Sequence, residues 1–415
     1  MHSLSAGRGF QLLLLAFAMA GAGYTRTAIS PLQEAMRLAL ALSDNQMALL
    51  QGPVIGVPVA LAAIPLGLLI DRTCRVRLLE VLLVLSVLGS LFTAFASSFS
   101  LLLLARGLAG VTGLGIVPVV FSIVADLYPP AQRGRAVTVA LVGQVAGNSA
   151  AFAFGGALLA MSGSEPEGWR WSMLWLNALL VPILLLSLLL REPNRTGLVI
   201  ANPTARQIWG ELRHYRIVIV VIATAIVLVE IAIGAMLIWG APMLSRNYGL
   251  PPETVGGTMA MGMLVSGILG PLVGGMLADL CQRTGGPRRT VSVLGGIALV
   301  SAPAGLFAFL PGVTGASILL VSVMTIMLVV VVMGMALFTI VIPNELRGLC
   351  MSALVAACIL SGLAVAPLAV SLLSSAMGGL IMIGKALSIV CVAASLLAAM
   401  TFAMGRAYVP REAVE

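Results

Sequence analysis

Charged residues are scarce in this sequence, and their scarcity excludes most classes of soluble protein. Of 415 residues, 23 are basic and 15 are acidic, so charged residues make up 9% and hydrophobic residues 60% of the chain. Soluble globular domains usually carry about 25% charged residues. The composition therefore excludes an ordinary soluble enzyme. The basic residues lie mostly in short loops between apolar runs, which favours membrane topology over nucleic-acid binding.

Patterns typical of metal sites and catalytic centres are also missing from the sequence. The five cysteines have no Cys-x-x-Cys spacing, so they predict neither a disulfide framework nor a zinc site. His2 and His214 fall outside the apolar runs, and there is no HExxH, GxSxG or Walker motif. We therefore expect no enzymatic activity, no metal and no cofactor. A receptor or scaffold is the other alternative, although charges inside a membrane would then be costly without a use.

Apolar runs of helix length make up most of the chain. Stretches such as 218–236 and 318–342 are long enough to cross the roughly 30 Å hydrocarbon core of a bilayer. Strand-length alternation is absent, so the backbone is expected to satisfy its hydrogen bonds in lipid as α-helices. Breaks in the apolar pattern predict twelve spans, which begin near Phe10, Met47, Arg77, Leu101, Ala136, Trp169, Ile217, Thr254, Thr290, Ala316, Leu349 and Leu380.

The longest polar stretch, 191–216, separates two predicted six-span halves, 1–190 and 217–415. Seventeen of the 23 basic residues lie in this linker, at the termini or in loops on the same predicted side of the membrane. By the positive-inside rule, both termini and the linker are expected to be cytoplasmic. The basic residues outside this set are Arg26, Arg37, Arg106, Arg170, Arg246 and Lys385.

An internal repeat relates the two halves. The repeated positions are Gly67 with Gly275, Asp71 with Asp279, and Arg133-Gly134 with Arg347-Gly348. These matches occur at nearly equal offsets, which is hard to obtain by chance. Duplicated six-helix halves around a site in the middle of the membrane are a recurring plan of secondary transporters.

The loop between spans two and three resembles the best-known signature of the major facilitator superfamily. It reads Gly67-x-x-x-Asp71-Arg72-x-x-Arg75-x-Arg77, with Cys74 where a glycine is usual. This resemblance implies an all-α membrane protein of twelve transmembrane helices in two pseudo-symmetric bundles. It also implies alternating access to a central cavity.

Within that superfamily, the bacterial spinster-like branch is the most similar. The motifs that carry the likeness are Leu42-Ser43-Asp44-Asn45-Gln46, Ala105-Arg106-Gly107, Asp126-x-x-Pro129, Gly168-Trp169-Arg170-Trp171, Arg191-Glu192-Pro193 and Trp239-x-x-Pro242. The resemblance implies a multi-pass monomer in the bacterial inner membrane. It also implies a lysolipid-like or sphingoid-like substrate, with membrane lipids and protons as further partners and no nucleic acid.

A gating latch is expected at the cytoplasmic ends of the spans. Its predicted members are Asp71, Arg72, Arg75, Arg133, Asp279 and Arg283. An aspartate near a helix end can pair with arginines of a neighbouring segment and hold that side closed until the halves move. The alternative is a cluster of charges that only sets topology.

Two acidic residues implied by the spinster-like resemblance are missing. The branch usually has an Asp–Arg pair in span one, whereas here Thr25 precedes Arg26. It also places a glutamate in span four where this sequence has Gly113. Glu230, near the middle of span seven, is therefore the best candidate for a proton-binding group. In the superfamily's fold spans one and seven face each other, so we expect Glu230 to pair with Arg26, and the alternative is a static buried ion pair.

Arg26, Ser30, Glu34 and Arg37 are spaced to share one face of span one, with Glu34 and Arg37 able to pair. Arg106 is expected either to hold an anionic group of the substrate or to pair with Glu34.

Further polar and small residues are candidates for the same cavity. Gln144, Asn148, Asn177 and Trp239 are expected to line it, although buried amides also serve as hydrogen bonds between helices. A glycine series in span five predicts close helix contact: Gly143, Gly147, Gly155 and Gly156.

These features together predict a secondary active transporter for a small amphipathic or organic-anion substrate, with proton coupling through Glu230. The alternatives are a multidrug or metabolite exporter that works by proton antiport, and an uncoupled facilitator.

Overall fold

The computed structural model describes residues 2–163, 165, 167–194, 205–342 and 344–409. Within these residues the chain forms α-helices and short 3-10 and π segments. The helices of the first part are α1 His2–Thr27, α2 Gln33–Ala39, α3 Asp44–Gln51, α4 Pro53–Arg72, α5 Arg75–Phe95, α6 Phe99–Leu127, α7 Pro130–Met161, α8 Gly168–Ala178 and α9 Val181–Ser187. Those of the second part are α10 Ala205–Tyr248, α11 Pro252–Ala304, α12 Val313–Val341, α13 Asn344–Ile359, α14 Ala366–Ala376 and α15 Ile383–Gly405.

Eleven helical stretches of the described chain are long and apolar enough to cross a membrane. The longest, Pro252–Phe309, comprises two spans, because Gly286 within α11 has non-helical angles of φ 66° and ψ −161°. Glycine adopts a positive φ without the clash that a Cβ would create. The predicted all-α fold with twelve spans is confirmed, and the predicted starts lie within about a helical turn of the starts of these apolar stretches, although α1 and α10 themselves begin earlier.

Span one is interrupted, which contradicts the expectation of one continuous polar face. Helix α1 ends at Thr27, a 3-10 turn covers Ser30–Leu32, and α2 begins at Gln33. Pro31 explains the break, because its ring lacks an N–H donor and clashes with the carbonyl four residues earlier, that of Thr27. Arg26 and Ser30 therefore do not share a helix face with Glu34 and Arg37.

The chain divides into two compact units. The first comprises Met1–Leu198 with Gly249–Leu264, and the second comprises Val199–Tyr248 with Val265–Glu415. The bundle boundaries expected from the sequence stay a prediction, and residues 195–204 of the expected linker lie outside the described residues.

Glycines bring α1 and α7 into close contact in the first unit. The position where Gly147 would carry a Cβ is occupied by the Ala20 carbonyl, and at Gly143 it is occupied by the Ala16 carbonyl. On the other side, a Cβ on Gly23 would collide with the Gln144 carbonyl. The predicted close packing of span five is confirmed. The series continues with Gly155, which faces Pro31, and Gly156, which faces Pro252 and Gly256.

Gly147→Ala is expected to destabilise the protein. The added methyl group meets backbone at Ala20 and cannot be accommodated by a side-chain rotation, so the helices must separate at a cost of about 1–3 kcal/mol. Thermal unfolding in detergent measures the change. Gly275→Ala is the matched control, because this helical glycine has no atom within 4 Å of its Cβ position. Equal unfolding temperatures for the two variants would contradict the close contact.

Candidate functional site

A network of charged groups surrounds Arg75 at the start of α5. The side chain of Arg75 is 4% exposed, and its Nη1 contacts Asp126 at the end of α6. Its Nε donates to Glu192 Oε1 at 2.8 Å, after the end of α9. Nη1 also donates to the Ser122 carbonyl at 3.2 Å, and Nη2 to the Pro193 carbonyl at 3.3 Å. The buried guanidinium thus joins three segments of the first unit.

Glu192 also caps the first turn of α5. Its Oε2 accepts a hydrogen bond of 2.8 Å from the Val76 backbone N–H, one of the donors that a helix start leaves without an intrahelical partner. The Cys74 thiol donates to the same oxygen at 3.4 Å. Partial burial raises the pKa of Glu192, but the hydrogen bonds from Val76 and Arg75 and the charge of Arg75 outweigh it and lower that pKa below its ordinary value.

Of the expected latch residues, Arg75 forms the network, and its acidic partners were not predicted as site residues. Asp126 and Glu192 stand in the motifs Asp126-x-x-Pro129 and Arg191-Glu192-Pro193. The sequence feature that could have identified them as partners of Arg75 is an acidic residue at the end of a span. Another expected latch residue, Arg133, donates from Nε to the Tyr128 carbonyl at 3.1 Å. The remaining four expected latch residues have exposed side chains: Asp71, Arg72, Asp279 and Arg283. Their role in a latch stays a prediction.

The two positions where acids are missing lie side by side. Thr25 Oγ1 accepts a hydrogen bond of 2.9 Å from Ser86 Oγ of α5 and donates to the Gly21 carbonyl at 2.9 Å. A Cβ on Gly113 of α6 would lie 3.4 Å from Thr25 Oγ1 and 3.5 Å from Ser86 Oγ. Thr25 and Ser86 are each 1% exposed. An uncharged pair of hydroxyls therefore occupies the place where the resemblance implies two carboxyl groups.

Arg106 is a buried cation, and part of its guanidinium lacks hydrogen-bond partners among the described residues. It is 1% exposed, and its Nη2 donates to the Arg26 carbonyl at 3.2 Å. Its Nε and Nη1 are buried and have no hydrogen-bond partner among the described residues. Glu34 pairs with Arg37: its Oε1 accepts from Arg37 Nη2 at 2.6 Å and from Arg37 Nε at 3.1 Å. Such donors are costly to bury without an acceptor, so this part of the first unit suits an anionic group.

The candidate amides make hydrogen bonds within the first unit. Asn148 Oδ1 accepts from Thr27 Oγ1 at 2.9 Å, which joins α7 to the end of α1. Asn177 Nδ2 donates to the Met173 carbonyl of its own helix at 2.8 Å, and its Oδ1 has no partner among the described residues. Gln144 is partly buried, and its backbone carbonyl contacts Gly23. Asn148 therefore holds helices together, while the Asn177 oxygen is buried and has no partner among the described residues.

A second amide network was not foreseen from the sequence. Ser30 Oγ donates to Gln51 Oε1 at 2.8 Å, and Gln51 Nε2 donates to Gln33 Oε1 at 2.6 Å. All three residues are buried. The network ties the break in span one to the end of α3, and it depends on the turn that Pro31 imposes.

Glu230 lies beside an irregular helix in the second unit. Residues Leu360–Val365, between α13 and α14, form a π-helix. The Cβ position of Gly362 lies 3.7 Å from Glu230 Oε2, and that of Gly234 contacts the Gly362 carbonyl. Single π turns inside α-helices occur frequently at functional sites. The expected pair between Glu230 and Arg26 joins residues of different units and stays a prediction.

Trp239 is fully buried in the second unit. Its Nε1 donates to the Pro367 carbonyl of α14 at 3.1 Å. The one polar group of this side chain is therefore used within the unit. Its expected role in lining a cavity stays a prediction.

The fold and these charge networks agree with a match to a known family. The model described as the Major Facilitator Superfamily matches residues 15–367. This chain belongs to the major facilitator superfamily. Membership in a superfamily of multi-pass membrane transporters agrees with the prediction of a transport protein and not an enzyme.

Relatives in the superfamily include exporters. An MFS-type efflux pump of Mycolicibacterium smegmatis is 29% identical over 286 residues, which make up 68% of this chain and 64% of that protein. The quinolone resistance protein NorB of Staphylococcus aureus is 27% identical over 128 residues, which make up 31% of this chain and 26% of NorB. The matches thus span less than two thirds of the length of either relative.

Solved transporters share the fold. A bacterial homologue of the human lysosomal transporter Spinster, in an inward-facing and unoccupied conformation, has a TM-score of 0.78 at 22% identity, covering 97% of this chain and 96% of that one. The nucleoside transporter NupG has a TM-score of 0.72 at 11% identity, covering 96% and 98%. At these identities the likeness concerns the fold alone.

Glu192→Gln is expected to weaken the network around Arg75 and to change how stability depends on pH. Because the pKa of Glu192 is lowered in the folded protein, its carboxylate stabilises the fold above the ordinary carboxyl pKa. That contribution is lost as the pH falls through the lowered pKa. The variant should unfold at a lower temperature at neutral pH and lose less stability on acidification.

Thermal unfolding across a pH series measures this difference. The matched control is Glu253→Gln, which removes an exposed carboxylate and should leave the pH profile unchanged. Coinciding profiles for Glu192→Gln and the natural chain would contradict the role of the carboxylate.

Proposed function

We propose that this superfamily member is a secondary transporter for small amphipathic anions, and that it works by alternating access across a bacterial inner membrane. The observation that carries the proposal is the buried guanidinium of Arg106. Its Nε and Nη1 have no acceptor in the described part of the chain. The planar fork of arginine fits carboxylate and phosphate groups, and such charge-assisted hydrogen bonds are strong. An anionic headgroup would supply the missing acceptors.

Apolar surroundings favour an amphipathic substrate over a fully polar one. The chain is 60% hydrophobic and contains 21 methionines, whose flexible side chains adapt to apolar ligands of varied shape. A lysolipid-like or sphingoid-like molecule combines an apolar tail with a charged headgroup. The spinster-like resemblance supports this substrate class.

Glu230 is the proposed coupling group. Carboxyl groups inside membrane spans are rare and often form part of proton relays. The site of Thr25, Ser86 and Gly113 carries no carboxyl group, so it offers no alternative place for a proton. The π-helix beside Glu230 gives this carboxyl group a neighbouring element that can rearrange.

A second candidate function is export of drugs or metabolites by proton antiport. The similarity to the efflux pump of M. smegmatis favours it. An uncoupled facilitator is the third candidate, and it would use Glu230 only for packing. For all three we propose a monomer with both termini in the cytoplasm.

Arg106→Gln is expected to reduce uptake of an anionic amphiphile into proteoliposomes. Removing a charged hydrogen-bond donor should raise the half-saturating concentration about 10- to 100-fold. Arg106→Lys keeps the charge but not the fork, so it should retain part of the activity. The control Arg135→Gln removes an exposed arginine outside the signature and should leave uptake unchanged. If both Arg106 variants match the control, Arg106 does not bind the substrate.

Glu230→Gln separates coupled from uncoupled transport. In the natural chain, an imposed pH gradient should accelerate uptake or export, depending on direction. The variant keeps the side-chain size and is expected to lose this acceleration while still exchanging substrate across the membrane. The control Glu253→Gln changes an exposed residue and should keep the acceleration by the pH gradient. An unchanged response to the gradient in Glu230→Gln would rule out coupling through this residue.

A further inference from the structure

An apolar cavity of about 370 Å³, open on the side where the exposed Leu349 forms part of its lining, lies in the second unit. It is bounded by Ile219 of α10, Phe338 of α12, and Cys350, Leu354 and Ala357 of α13. Its walls are apolar apart from the Cys350 thiol. Pockets for small ligands usually measure about 300–1,000 Å³, so this cavity lies at the small end of that range and has room for part of a single hydrocarbon chain.

Arg347 lies one turn before this cavity on the same helix. It precedes Cys350 by three residues and Leu354 by seven, and residues with this spacing share one face of an α-helix. Its Nη2 makes a long hydrogen bond of 3.4 Å to the Ile342 carbonyl. Its Nε is buried and has no hydrogen-bond partner in the described part of the chain. A cationic donor thus stands beside the apolar cavity with hydrogen-bonding capacity left over.

The repeat supplies an internal comparison for this arginine. Arg133 occupies the equivalent position in the first half, and its Nε donates to the Tyr128 carbonyl five residues earlier at 3.1 Å. Arg347 also contacts the carbonyl five residues earlier, which here belongs to Ile342. It does so with Nη2 at 3.4 Å, and its Nε has no partner in the described part of the chain. The local geometry that satisfies the first arginine therefore leaves the second one open to an external acceptor.

We propose that the cavity holds the acyl chain of a transported single-chain phosphate amphiphile, and that Arg347 binds the phosphate of that molecule. This rests on the proposed function, because it assumes that the transported substrate is an anionic amphiphile. Burial of each methylene group in the cavity favours binding. The guanidinium can donate two parallel hydrogen bonds to a phosphate, including the one from Nε.

Cys350 provides a direct reporter of occupancy. A full-length variant carrying Cys74→Ser, Cys281→Ser, Cys358→Ala and Cys391→Ala retains Cys350 as its single thiol. The rate at which a membrane-permeant maleimide alkylates Cys350 is measured in detergent. The two test ligands are palmitoyl lysophosphatidic acid and monopalmitoylglycerol, which share the chain and glycerol and differ in the phosphate.

Both ligands are expected to slow the alkylation, the phosphate-bearing one at lower concentration. Arg347→Gln should raise the concentration of lysophosphatidic acid needed for protection about 10- to 100-fold and leave protection by monopalmitoylglycerol unchanged. The control Arg406→Gln removes an exposed arginine of the same unit that belongs to no proposed site, and it should leave both unchanged. Ala357→Phe fills the cavity and should abolish protection by both ligands. Thermal shift of the natural chain with the same ligands is a second readout that needs no cysteine substitution.

Equal effects of Arg347→Gln on the two ligands, or no effect of Ala357→Phe on either, would overturn the proposal. Proteoliposome uptake of lysophosphatidic acid separates this failure from that of the proposed function. Uptake without protection of Cys350 would leave the transport function in place and remove the cavity from it. Protection without uptake would overturn the transported amphiphile in favour of a resident lipid.

Discussion

The hydrocarbon core of a membrane supplies no hydrogen bonds, and this constraint decides how the chain uses its few charges. Each buried charge must find a partner inside the protein, or else leave donors for a ligand. Arg75 meets the constraint completely, with Asp126, Glu192 and two backbone carbonyls as acceptors. Arg106 meets it only in part, with one carbonyl for a whole guanidinium. The first arrangement is structural, whereas the second leaves two buried donors without an acceptor among the described residues.

The sequence predicts the spans well because span length and apolarity are local properties that the bilayer enforces. The break in span one was not predicted, although Pro31 is visible, because the surrounding run is apolar enough to cross as one helix. The partners of Arg75 were missed for a different reason. A sequence pattern shows that Asp126 and Glu192 end their spans, but which span ends meet one another depends on how the helices pack.

The uncharged site at Thr25 and Gly113 follows only from the sequence resemblance and the helix packing taken together. The resemblance identifies each position as a missing acid, but it cannot tell that the two positions are neighbours. In the structure, Ser86 completes the site by donating to Thr25, and Gly113 leaves no side chain to disturb that bond. The two departures from the spinster-like pattern are therefore one local change. A side chain returned to position 113 would start in contact with the hydroxyl groups of Thr25 and Ser86.

The π-helix at Leu360–Val365 adds one residue to span eleven relative to a regular α-helix. A π turn holds one residue more than an α turn, so its conversion to regular helix would turn everything beyond it by about 100° and advance it by about 1.5 Å. The Trp239 bond to the Pro367 carbonyl lies beyond that point and opposes such a screw motion. Glu230 and Gly234 contact Gly362 within the π turn itself. Span seven thus contacts span eleven at both places, so a rearrangement of the π-helix requires these contacts to break or span seven to move with it.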